Sequence, residues 1–252
     1  MMLLSFLRAL LITDPLIILS TVVMGSISVL TSLFDKGGGA ADRIAGLWAR
    51  LLLRISGVKV RVQGLDRIEE NQSCVFVGNH LSFIDTPVVL ASIPVRFLFL
   101  VHARYVRLPF LGTHLRRCGH FSVDPDNVRA SIRTMTEAAR AVQQRGHSVL
   151  VFPEGSRAAG DMKAFKDGAA YIAIKAGVPV IPFALSGTRE VLPVGSIHVR
   201  GRSVDMIFGE PVPTAGYALR DSARLTLLLR DKVAALLAGA RKEQVVGSPA
   251  PD

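Results

Sequence analysis

The stretch Cys74-Val75-Phe76-Val77-Gly78-Asn79-His80-Leu81-Ser82-Phe83-Ile84-Asp85 passes from an unbroken apolar run into a polar turn. Thr86-Pro87-Val88-Val89-Leu90 then reads as the start of a helix. A short apolar run without alternation is the pattern of a strand buried on both faces. A buried strand, a tight polar loop and a helix form the repeating unit of an α/β protein. The loop carries His80 and Asp85 at the strand end, where such folds place reactive groups. A neutral imidazole takes up a proton near pH 7. A carboxylate accepting its other N–H fixes the tautomer and stabilises the imidazolium. Read alone, the pair has a blander competitor, a satisfied loop His beside a helix-capping Asp.

Upstream, Val58-Lys59-Val60-Arg61-Val62 alternates apolar and polar residues and predicts a half-exposed strand. Further strands are expected at 96–101, 121–123, 148–152, 180–185 and 199–208. Pro182 would place the strand at 180–185 at a sheet edge or a bulge, because proline lacks a ladder donor. Helices are expected near 85–93, 164–176 and 222–237. Another starts at an Asp126 or Asn127 cap, carries the stripe Val128, Ile132, Met135, Ala139 and Val142, and closes at Gly146. The fold class is therefore α/β: a central, mostly parallel or mixed sheet covered by helices on both faces. There is no Walker A or Rossmann glycine pattern.

The N-terminus is of another character. Met1 to Phe34 holds only Arg8 and Asp14 as charges, and the 20 residues from Pro15 to Phe34 hold none. As a helix those 20 residues would be roughly 30 Å long, enough to cross a hydrocarbon core. The segment lacks the basic start and small-x-small cleavage site of a signal peptide. Residues 1–35 read as a membrane anchor, either one spanning helix or a half-buried hairpin broken at Asp14-Pro15. Residues 36–57 supply a glycine hinge and an amphipathic helix, which can rest on the membrane or on the core. Residues 58–242 form the main domain, and 243–252 a disordered tail.

The formal charge of the 252-residue chain is +10. Outside residues 1–35 it holds 29 basic and 18 acidic residues, a net +11. That balance beside an apolar anchor fits an anionic bilayer surface and anionic substrates. Three Tyr, one Trp and no basic–aromatic interleaving argue against nucleic acid as a partner. Cys74 and Cys118 are too few for a disulfide framework or a zinc site, so no metal is expected and the domain reads as facing a reducing compartment.

A second motif gives the first its meaning. Phe152-Pro153-Glu154-Gly155-Ser156-Arg157 follows the strand at 148–152, and Phe165-Lys166-Asp167-Gly168 follows within a dozen residues. Arg157 offers a planar donor fork for a phosphate, Gly155 lets the backbone approach closely, and Lys166 adds an ammonium near a helix start. The bland alternative is a Glu154–Arg157 loop ion pair. One strand-end loop thus holds a base and the other holds anion-binding groups.

With these blocks the chain resembles the 1-acylglycerol-3-phosphate acyltransferase (PlsC-type) family of glycerolipid acyltransferases. Its Asn-His-x4-Asp block is matched by Asn79, His80 and Asp85. Its second block, a basic residue, a Pro-Phe-Gly-like turn and a short strand ending in Asp, looks like Arg104, Pro109-Phe110-Leu111-Gly112 and Phe121-Ser122-Val123-Asp124. The third block matches in full at 152–157, and a Val-Pro-Val-x-Pro block at Val178-Pro179-Val180-Ile181-Pro182. The resemblance covers residues 58–210. One departure stands out: the family's Arg after the block-two Asp, associated with binding glycerol phosphate, is Pro125 here. Arg104, Arg116, Arg117 and Lys166 are the candidates to replace it.

The resemblance implies a membrane enzyme that moves an acyl group from acyl-CoA or acyl-carrier protein to the free hydroxyl of a lyso-lipid, with no further cofactor. His80 is expected to be the general base and Asp85 to orient it. Arg104, Arg157 and Lys166 would bind substrate, with Glu154 orienting Arg157 or the glycerol hydroxyls. Backbone N–H groups near Gly155 would stabilise the oxyanion. No Gly-x-Ser-x-Gly elbow supplies a nucleophile, and Ser82 is not expected to be one. The expected acceptor is 1-acylglycerol-3-phosphate, giving phosphatidate. The alternatives are another lyso-lipid such as lyso-ornithine lipid, or a non-catalytic protein that binds anionic lipid. The implied location is a bacterial inner membrane, with the catalytic domain on its cytoplasmic face. His102, His114, His120, His147 and His198 lack an acidic partner at suggestive spacing and read as surface or packing residues.

Overall fold

The computed structural model describes residues 9–35, 37–108, 111–157 and 160–246, with side chains as far as Ala240. Pro109 and Phe110 of the second block, Lys36 of the hinge, the first eight residues of the anchor and the last six of the tail lie outside it.

A π-helical turn, Ala9–Thr13, runs into α1 (Asp14–Phe34), and α2 spans Gly39–Ile55. Strand β1 (Lys59–Gln63) follows, then β2 (Val75–Gly78), α3 (Asp85–Ser92), β3 (Phe97–His102), α4 (Ala103–Val106), α5 (Leu111–Arg117) and β4 (Phe121–Val123). The second half comprises α6 (Val128–Arg145), β5 (Ser148–Val151), α7 (Gly168–Ala176), β6 (Val180–Ser186), α8 (Thr188–Val191), β7 (Ser203–Phe208) and α9 (Ser222–Val246). Together they form the expected mixed sheet with helices on both faces. The strand order is β1-β7-β6-β2-β5-β3-β4, parallel throughout except for the antiparallel β6–β7 pair.

Alternation along β2 explains the layering. Phe76 points into one cluster with Val88, Phe97, Leu150, Phe183 and Phe208, while Val75 and Val77 point into another with Ala138, Ala139, Ile172 and Leu225. The large rings fill the face under α2 and α3. The small residues let α6 and α7 lie close on the opposite face. Asn127 caps α6 by accepting the Ala130 N–H at 3.0 Å, and Gly146 ends it in the left-handed region.

Four expectations need correcting. Strand β6 is central, not an edge, and every residue of it is buried. Pro182 is tolerated because its missing N–H falls at the end of the β7 ladder, where its carbonyl still accepts the Gly209 N–H at 2.7 Å. Helix α7 starts at Gly168 rather than 164, because the Lys166 N–H is held by the Pro153 carbonyl at 2.9 Å and keeps the preceding residues in the loop. The last strand starts at Ser203 rather than 199, since the Arg200 N–H is bound to Val191 O at 2.8 Å. Helix α9 runs to Val246, past the expected start of the tail.

The anchor shows no reversal at Asp14-Pro15. The chain stays helical from Ala9 to Phe34, with the π-turn absorbing the proline. Near one end of α1, Asp14 meets His198 at 2.5 Å. Near the other, the Arg117 guanidinium donates to Ser32 O at 3.2 Å and Ser28 meets His114 at 2.8 Å. Both ends are thus fastened to the same domain, and α1 lies along it. Leu16, Leu19, Val22, Val23, Ile27 and Leu30 remain exposed on its outer side. Helix α2 packs between α1 and α3, burying Ala49, Leu52 and Leu53. Its tryptophan, Trp48, donates to the Thr21 hydroxyl at 3.1 Å.

Candidate active site

Strand β2 ends at Gly78, where a Cβ would collide with the Phe183 ring, so only glycine lets the chain leave the sheet here. Asn79 then continues the ladder with its side chain. Its amide donates to Leu185 O at 2.9 Å, and its carbonyl accepts the Leu185 N–H at 2.8 Å. Pinned in this way to β6, the backbone turns and projects His80 off the sheet end.

Asp85, wholly buried as the first residue of α3, gathers the turn around one oxygen. Its Oδ2 accepts from Leu81 N at 2.7 Å, Ser82 N at 2.9 Å and His80 Nδ1 at 2.8 Å. A carboxylate that already accepts two N–H groups requires the ring proton on Nδ1. Nε2 is left with the lone pair of a base. The imidazole stacks on Phe152 of the second loop, with centroids 4.4 Å apart and planes at 12°. Ser82 is committed elsewhere, since its hydroxyl donates to Leu192 O at 2.7 Å.

The loop after β5 is organised differently from expectation. The Glu154 oxygens accept two backbone N–H groups, from His80 at 2.7 Å and from Lys163 at 2.8 Å. No Glu154–Arg157 ion pair forms among the described residues. Arg157 instead lies over the Phe83 ring, 3.4 Å from its centroid. The Gly155 N–H donates to Phe152 O at 3.1 Å, so it is not free for an oxyanion. Gly155 has φ +71°, and a Cβ there would meet Lys166 Nζ at 3.2 Å. The ammonium thus packs where a side chain would otherwise sit.

A cavity of about 1750 Å³ opens beside His80. Arg104, Arg157 and Lys166 line it, and it extends to Met24 of α1, Trp48 of α2 and Leu90 of α3. Cations and an imidazole therefore share a space with an apolar wall. Pro125 lines it too, but Arg116 and Arg117 do not. Arg116 donates to Val106 O at 2.5 Å, and Arg117 is spent on Ser32. Arg104 stands over the Tyr105 ring, 4.8 Å from its centroid, and donates to the Tyr105 hydroxyl at 3.0 Å.

The remaining histidines each have a hydrogen-bond partner within the chain, and His102, His114 and His120 also line the cavity. Burial pushes the Cys74 and Cys118 thiols up to about 12, which removes them as nucleophiles near neutral pH. Ligand atoms of His114, Cys118 and His120 lie within 4.8 Å of one another. Yet His120 Nδ1 accepts the Phe99 N–H at 3.0 Å, so its proton sits on Nε2 and the ring keeps no lone pair for a metal. Burial and the neighbouring His114 and Arg96 hold His120 down to about 3. His198, read as partnerless, pairs with Asp14 across 184 residues of chain. Lys163 and Phe152 join the site without having been anticipated, because one contributes a backbone N–H and the other a ring face.

The chain is similar to known proteins over this region. It is 27% identical over 165 residues to the 1-acyl-sn-glycerol-3-phosphate acyltransferase of Limnanthes douglasii, covering 65% of this chain and 58% of that one. It is 34% identical over 172 residues to a chloroplastic 1-acyl-sn-glycerol-3-phosphate acyltransferase of Brassica napus, covering 67% of this chain and 49% of that one. The chain thus spans about half the length of such curated relatives. The crystal structure of the 1-acyl-sn-glycerophosphate (LPA) acyltransferase PlsC from Thermotoga maritima superposes with a TM-score of 0.76, covering 98% of this chain and 100% of that one at 22% identity, which establishes a shared fold. The Acyltransferase family model matches residues 59–186, a segment that begins on β1, ends with β6 and contains both strand-end loops, so the chain belongs to the acyltransferase family.

Proposed function

We propose that the protein transfers a fatty acyl group from a thioester, acyl-CoA or acyl-carrier protein, to the free hydroxyl of 1-acylglycerol-3-phosphate, giving phosphatidate. The observation that carries this reading is the His80–Asp85 pair, which leaves Nε2 as a base beside an apolar cavity lined by Arg104, Arg157 and Lys166. His80 Nε2 takes the hydroxyl proton as the oxygen attacks the thioester carbonyl. The C–S bond then breaks, and the thiolate recovers the proton from the imidazolium. General-base assistance of this kind contributes about 10²–10⁴-fold. Asp85 stabilises the imidazolium in between. Arg157 and Lys166 hold the acceptor phosphate, and Arg104 serves in place of the arginine that Pro125 lacks. The acyl chains occupy the apolar part of the cavity between α1, α2 and α3.

Helix α1 supports a membrane role. Fastened at both ends to one domain, with an apolar outer side, it suits insertion into a single leaflet better than a crossing. The proposed location is the cytoplasmic face of a bacterial inner membrane.

A second reading keeps the chemistry and changes the acceptor. Pro125 in the cavity wall favours a lyso-lipid without phosphate, such as lyso-ornithine lipid. The purified protein in detergent, assayed for thioester consumption against a panel of lyso-lipids, separates the two. Preference for 1-acylglycerol-3-phosphate supports the first reading, and preference for a phosphate-free acceptor supports the second. Absence of turnover with any donor and acceptor would leave only lipid binding.

A further inference from the structure

We infer that Glu154 is a positioning residue that acts on His80 through the peptide backbone and makes no contact with the acceptor. The inference rests on the proposed role of His80. Glu154 is 4% exposed, and each of its oxygens already accepts a backbone N–H, one from His80 and one from Lys163. Phe152, Pro153, Gly155, Ser156 and Arg157 all line the cavity, whereas Glu154 between them does not. A carboxylate directed away from the cavity has no path to a glycerol hydroxyl.

What it does reach is informative. The His80 N–H belongs to the residue whose ring stacks on Phe152, so backbone and ring are both held from the second loop. The Lys163 N–H closes the base of that same loop, next to the bond from Lys166 N to Pro153 O. Lys163 further ties the loop with its ammonium, which donates to Ser156 Oγ at 2.8 Å and to Arg157 O at 3.2 Å. One buried carboxylate therefore sets the base against the segment that carries Arg157 and Lys166. It couples the separation between the proton acceptor and the anion site. A carboxylate suits this task because it offers acceptors on both oxygens, and an amide offers only one.

Glu154→Gln makes the test. Its NH2 group must face one of the two N–H donors, which breaks one side of the bridge. Steady-state kinetics should show kcat lowered about 10²-fold, the scale of a misplacement near 1 Å, with the acceptor KM changed less than about twofold. Residue-resolved amide hydrogen exchange, measured without substrate, should find His80 and Lys163 protected in the unaltered protein and at least one of them faster in the variant. A tenfold rise in acceptor KM at unchanged kcat, with exchange unaltered, would make Glu154 a substrate contact and overturn the inference. Rapid exchange of both amides in the unaltered protein would overturn it too, even if the variant failed to fold. Full activity of a His80→Ala protein would instead remove the reading of His80 as base, while the exchange result would still judge the bridge.

Discussion

The two strand-end loops that make the site are built on opposite plans. The loop after β2 turns three of its polar side chains inward: Asn79 on β6, Asp85 on the turn and on His80, Ser82 on Leu192. The loop after β5 spends its carboxylate inward but leaves its cations at the cavity, Arg157 lying on an aromatic face and Lys166 against a glycine. In the proposed reaction the first loop serves proton transfer, which tolerates little misplacement. The second offers charge whose natural partner is an incoming anion. The lesson is that base and anion site fail differently: damage to the first should appear in turnover and stability, and damage to the second in acceptor affinity.

Breaking the first loop at its centre should have the largest effect. Asp85→Asn removes the charge that stabilises the imidazolium and risks presenting NH2 to Nδ1, the wrong tautomer. It should lower kcat about 10³–10⁴-fold at nearly unchanged acceptor KM, read by thioester-consumption kinetics. Breaking the second loop should move the other constant. Arg157→Ala should raise the KM for 1-acylglycerol-3-phosphate about 10–10²-fold, with kcat within a few-fold, and should not alter the KM for a phosphate-free lyso-lipid. An unchanged KM for the phosphate-bearing acceptor would deny the anion role. The smallest effect is purely structural. Asn79→Ala strands the Leu185 N–H and carbonyl inside the core and should cost about 2–3 kcal/mol in denaturant unfolding.

The same contrast explains how much was legible in the sequence. Strands β2 and β5 stand out because burial on both faces leaves them as continuous apolar runs. The His80–Asp85 pair is local, five residues apart in one turn, and its hydrogen bond reads directly. Pro182 misleads because a missing donor matters only where the ladder needs one, and the point at which β7 departs is a tertiary fact. Glu154 misleads for a similar reason: both its partners are backbone N–H groups, 74 and 9 residues away, which no spacing rule reveals. The Asp14–His198 pair is equally invisible, and with it the finding that the apolar helix α1 lies along the domain. Local contacts were readable, and so was the order of the blocks. The hydrogen bonds that join one block to another were not.

In the proposed reaction His80, oriented by Asp85, acts as the base on the acceptor hydroxyl. The most direct test of this role is acyl transfer from a thioester to 1-acylglycerol-3-phosphate by a purified His80→Ala protein in detergent, with the thermal unfolding midpoint measured on the same sample. Turnover should fall by at least about 10²-fold with the unfolding midpoint retained. Full turnover by the folded variant would contradict it.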